Sequence, residues 1–126
     1  MKITALLILT LTFFSCKKSN NEAGIVGNWE LRKSEGGLAG TINYPPGNGV
    51  TYTFSANGAY SHSDSVSHYS GRYSIFPIGN GQYNLKLYNQ SGDLVSDVNV
   101  RITATELVFL PPTNGADFPT DTYARL

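Results

Sequence analysis

The chain has 126 residues, 40% of them hydrophobic, and its 9 Lys plus Arg balance its 9 Asp plus Glu. That balance excludes the clustered basic face that nucleic acid binding requires, and the hydrophobic share is enough for a packed core rather than a solvated tail. With a single cysteine, no disulfide forms within the chain.

Met1-Lys2 followed by the apolar run Ile3 to Phe14 has the charged n-region and hydrophobic h-region of a secretory signal. The run falls short of the ~20 residues a membrane-spanning helix needs. It ends at Ser15-Cys16, a small residue before a cysteine, which resembles the lipobox of bacterial lipoproteins. The resemblance implies that residues 1–15 are removed and that the Cys16 thiol takes a diacylglyceryl group, so that palmitate-type acyl chains hold the protein on a membrane. Cleavage near Ser15 that leaves Cys16 as a free thiol is the alternative. Lys17-Lys18-Ser19-Asn20-Asn21 reads as a flexible polar tether, which makes 16–24 an anchor and linker. The first acid after the cysteine is Glu22, so no acidic export run follows, and the expected location is the outer membrane, facing the periplasm. Without residues 1–15, which carry Lys2, 8 basic side chains face 9 acidic ones, a formal charge of −1.

From Ile25 onward, period-two alternation recurs between turn signals and three-and-four spacing is absent, which predicts an all-β domain over 25–126. Asn48-Gly49, Asn57-Gly58, Asn80-Gly81 and Asn114-Gly115 are hairpin signals, because both residues of the pair tolerate positive φ. In the first strand Ile25, Gly27, Trp29 and Leu31 share the inner face, with Asn28, Glu30 and Arg32 outside. Val50, Tyr52 and Phe54 point inward before the Asn57-Gly58 turn and Tyr60 after it. Tyr73 and Ile75 follow, then Tyr83, Leu85 and Leu87, then Leu94, Val98, Val100 and Ile102. Glu106 to Leu110 is apolar on both faces, and Asp121 to Leu126 is the last strand.

About eight strands joined by hairpins form an antiparallel meander, which loses its edges by closing into a small barrel with the first and last strands paired. A β-sandwich of the same strands is the alternative. Gly27-Asn28-Trp29 at the head of the first strand resembles the Gly-x-Trp signature of lipocalins, and 25–126 resembles the short lipocalin-like domains of bacterial lipoproteins. The resemblance implies that Trp29 plugs one barrel end and that Arg125 packs over its ring.

Among candidates for chemistry, His62, Asp64 and His68 have ligand types that suit zinc. They lie in the serine-rich stretch Ser61 to His68, which reads as a solvated hairpin end, so no metal or other cofactor is expected. No nucleophile elbow or phosphate-binding glycine loop is present. Glu30, Asp97 and Glu106 fall on outward faces or turns, where paired acid-base work has no cleft. The expectation is therefore a protein that is not an enzyme. Tyr52, Tyr60, Tyr73 and Tyr83 all fall on inward positions, where rings fill volume and hydroxyls need partners. They line either a pocket for a small apolar or amphipathic ligand or a barrel filled by its own side chains. Ser34 to Gly49, with Leu38, Ile42 and Tyr44, is the stretch expected to fold over the open mouth.

Overall fold

A computed structural model describes residues 23–112 and 118–126. The expected signal segment, Cys16, the expected tether up to Glu22 and the expected turn at Asn114-Gly115 lie outside the described residues. Among the described residues the regular elements are nine strands: β1 Gly27–Glu35, β2 Thr41–Asn43, β3 Thr51–Phe54, β4 Ala59–Ser63, β5 His68–Gly79, β6 Gln82–Asn89, β7 Leu94–Ile102, β8 Glu106–Phe109 and β9 Thr120–Arg125.

Every neighbouring pair is antiparallel, and β1 pairs with β9, so eight strands close into a barrel. The unbroken ladder sets the sandwich alternative aside. The ninth strand is the short β2. One edge of β1 takes β3 at Gly27 to Glu30 and β2 at Lys33 to Glu35, while the other takes β9 from Trp29 to Glu35. A register shift between Leu31 and Lys33 marks a bulge in the β9 ladder.

The inward positions form one cluster that includes Ile25, Trp29, Leu31, Phe54, Tyr60, Tyr73, Leu85, Leu87, Val100, Leu107 and Tyr123. Leu107 and Val108 are both buried, which accounts for the two apolar faces of β8. Of the described Asn-Gly pairs, only Asn80-Gly81 has positive φ at both residues, 56° and 70°, as a two-residue type I′ hairpin requires. At Asn57-Gly58 only the glycine is in that region, and Asn48-Gly49 sits in a long connection rather than a hairpin.

Two sequence-based placements differ. Leu94, expected inside, is 52% exposed. A one-residue shift after Leu87 pairs Leu87 with Ser96 and Tyr88 with Leu94, so Val95 is the extra residue and the alternation breaks at the strand's first turn. Glu30, expected to face water, is 4% exposed. The 44–49 connection lies over the outer face of β1: Tyr44 N–H donates to Arg32 O (2.8 Å), Asn48 Nδ2 to Leu31 O (2.7 Å) and Gly47 N–H to Glu30 Oε1 (2.9 Å).

Candidate functional site

The two barrel ends are built differently. At one end Trp29 is fully buried, and its Nε1 donates to Ile25 O at 2.8 Å. The Arg125 guanidinium lies 4.1 Å over the indole ring. Its nitrogens donate to Ala104 O (2.9 Å), Val26 O (2.9 Å) and Gly24 O (2.6 Å), three carbonyls at the chain's entry and at the β7–β8 turn. Gly27 makes this possible: at φ 143° it lacks a Cβ that would stand 2.7 Å from Arg125 Nη1. That end is sealed.

The opposite end carries the connections 36–50, 64–67 and 90–93, together with the described residues 110–112 and 118–119. At that end lies a cavity of about 400 Å³ lined by Tyr52, Tyr60, Tyr69, Ser70, Leu87, Asn89, Val95 and Ser96. Its size falls within the range of small-molecule sites. Period two from Tyr73 back along β5 puts Tyr69 on the inner face, and the β6–β7 bulge turns Val95 toward the opening.

Of the four inward tyrosines, Tyr52 and Tyr60 line this cavity, whereas Tyr73 and Tyr83 do not. The Tyr73 ring is packed edge-on against Phe54 at 5.1 Å, and its hydroxyl donates to Ser55 O at 2.8 Å, deeper toward the sealed end. Tyr83 pairs with Pro77 and Val100 near the sealed end and is only half-buried there. The stretch expected to cover the mouth is tied instead along β1. Of its three apolar residues only Tyr44 packs on the core, while Leu38 is fully exposed and Ile42 is 40% exposed.

His62 is a further correction. It belongs to β4, not to a solvated turn, and is 8% exposed because alternation from Tyr60 points it inward. Its ring stands 4.4 Å from Tyr52 and 4.8 Å from Tyr69, and Nδ1 is buried without a hydrogen-bond partner. Asp64, by contrast, is engaged by the turn, accepting from Val66 N–H and Ser67 N–H at 2.8 Å each, and His68 is exposed. The three candidate zinc ligands therefore do not converge. No cluster of three or more His, Cys, Asp or Glu exists among the described residues.

Tyr52 connects the cavity to the rest of the interior, with Phe109 and Tyr123 each 5.4 Å away and Phe54 5.7 Å away. Burial pushes the phenols of Tyr52 and Tyr123 far above the ordinary range, and those of Tyr60 and Tyr73 upward as well. Burial also holds the His62 imidazole below its usual value, opposed by Asp64 and assisted by His68. The cavity wall is therefore neutral, with phenols that donate hydrogen bonds and no formal charge among its lining side chains. Comparison with known protein families, curated proteins and solved structures finds no match to this chain.

Proposed function

We propose that the chain is an exported lipoprotein, anchored through Cys16, whose lipocalin-like barrel binds a small, uncharged apolar or amphipathic molecule at its open end. The observation that carries this reading is the neutral cavity of about 400 Å³ opposite the Trp29–Arg125 plug. Flat phenol walls at Tyr52, Tyr60 and Tyr69 suit a planar apolar body, and the Ser96 hydroxyl and the phenol hydroxyls suit one or two polar atoms. A charged ligand would meet no opposite charge there and would lose its hydration.

A second reading is a structural or interaction lipoprotein without a ligand. It is favoured by the close packing below the cavity, where Phe54, Tyr73, Leu85 and Val100 fill the barrel.

The test is binding of N-phenyl-1-naphthylamine, a neutral planar probe, together with solvent extraction of the purified full chain and mass spectrometry. Val95→Trp, which puts an indole into the cavity from an exposed position, is expected to abolish probe fluorescence enhancement. A distant exposed change, Phe76→Ser, leaves it intact. Equal probe response in both variants, with no extractable molecule, favours the structural reading. The anchor is tested separately: the full chain fractionates with membranes in a Gram-negative host, and Cys16→Ser is soluble or uncleaved. Identical soluble fractionation of the two removes the anchor.

A further inference from the structure

We infer that the sealed end of the barrel, led by the β5–β6 hairpin, rests on the lipid surface to which Cys16 is anchored, so that the cavity faces away from that membrane. The inference takes the Cys16 anchor of the proposed function as its premise and adds an orientation and a contact surface.

The hairpin is unusual within the barrel. The last link between β5 and the β3–β4 turn is Tyr73 N–H to Gly58 O at 2.9 Å; beyond it, Ser74 to Gly79 have β6 on one side only. Pro77 sits in this one-sided stretch, where a missing N–H costs no ladder bond. Phe76 and Ile78 flank it and are each 46% exposed, although a solvent-facing hairpin tip has no need of such residues. Lys86 Nζ stands 5.9 Å from the Phe76 ring and 4.0 Å from Asp97 Oδ2, and Arg101, exposed, pairs in register with Gln82 just after the turn. Apolar tips with adjacent cations match the lipid interface, where apolar rings sink to headgroup depth and basic groups meet anionic phosphates. Leu126, 64% exposed, ends the chain at the same end of the barrel.

The path of the chain chooses this end. Ile25 is fully buried, and the Gly24 carbonyl is held by Arg125, so the chain enters the barrel at the sealed end. A Cβ on Gly24 would stand 3.9 Å from Ile102, next to Arg101 and thus close to the foot of β6. From Cys16 to Ile25, nine residues reach at most about 30 Å when fully extended. The barrel is about 20–25 Å tall, from nine-residue strands such as β1 tilted as closed barrels require. Placing the mouth on the membrane would stretch the linker along the whole wall at nearly full extension, which costs its conformational entropy. With the sealed end down, the linker needs no such extension. The mouth also exposes apolar residues, Leu38, Val66 and Phe118, which makes the mouth-down orientation the outcome to test against.

The experiment uses the full chain, processed in a Gram-negative host and reconstituted into vesicles of phosphatidylethanolamine and phosphatidylglycerol, with or without dibrominated acyl chains that quench tryptophan. Trp29 is buried and supplies a constant background. Ile78→Trp and, as a second variant at the same tip, Phe76→Trp are expected to lose most of their added emission in brominated vesicles, and Val66→Trp at the mouth to keep it. Quenching of Val66→Trp with the tip variants unaffected overturns the orientation. Quenching of none of the three, in protein that floats with the vesicles, overturns the lipid contact and leaves the anchor standing. Protein that does not float removes the anchor and the inference with it.

Discussion

Arg125 is the residue directly opposite Trp29 in the β1–β9 ladder, and its guanidinium stacks 4.1 Å over the indole while three backbone carbonyls hold its nitrogens. The pair that begins the closing ladder therefore also seals the barrel end. Trp29→Ala is expected to cost about 3–5 kcal/mol, the range for deletion of a buried aromatic. Arg125→Ala costs less, about 1–3 kcal/mol, from the lost cation–π contact and the charge-assisted bonds. Denaturant midpoints measure both. Iodide should fail to quench native Trp29, and full quenching would contradict its burial.

Gly71 lies in β5 between Tyr60 on β4 and Asn89 on β6. A Cβ there would stand 1.8 Å from Tyr88 O and 3.1 Å from Tyr60 Cε1. The first contact is with backbone inside the sheet, so rotamer changes cannot relieve it. Gly71→Ala is expected to destabilise by at least about 2–3 kcal/mol, at the upper end of overpacking. Thermal unfolding checks it, with Gly36→Ala as a glycine whose Cβ would meet open space, although its φ of 97° adds strain of its own.

His62 predicts a pH dependence. Its folded-state pKa is lowered by burial, so the unfolded chain takes up the proton first. Stability is then greatest above the unfolded value of about 6.5 and declines as pH falls through it, until the folded state is protonated too. The urea midpoint should drop between about pH 7.5 and pH 5. His62→Phe, which keeps a flat ring between Tyr52 and Tyr69, should flatten that slope. An unchanged slope in the variant would assign the titration elsewhere.

Glu30 acts at lower pH and in the same direction, the folded state again favouring the deprotonated form, here the charged one. Its carboxyl is held below the ordinary value of 4.5 by the Arg32 side chain and then by Gly47 N–H. Its contribution is present above pH 4.5 and is lost as pH falls toward the folded value. Glu30→Ala removes the acceptor for Gly47 N–H, and hydrogen exchange at that amide should speed up several-fold. Glu30→Gln, which keeps an acceptor oxygen, should restore most of the protection.

The alternation at Trp29-Leu31, Tyr52-Phe54 and Leu85-Leu87 made the barrel wall legible, because a side chain's face in a strand depends only on its parity. Counting in twos also reaches His62 from Tyr60 and Tyr69 from Tyr73, but the surrounding serines make that stretch look like a solvated loop. The bulge that brings Val95 to the cavity is invisible to such counting, since a single inserted residue changes parity without a compositional mark. Glu30 was hidden for another reason: its burial comes from Gly47, seventeen residues further on, and a strand's own pattern carries no record of what a connection lays across it.

The pairing of β1 with β9 has a kinetic side. The two strands that close the ring are separated by nearly the whole domain, so the loop that must be closed is among the longest the chain can form. Topologies dominated by such distant partners fold in milliseconds to seconds rather than microseconds. Until Thr120 to Arg125 have docked, β1 and β8 each present an unpaired edge, the arrangement most open to pairing with a second copy. A chain cut short before Thr120 would keep both edges open, so the last six residues of the sheet are the ones that remove them.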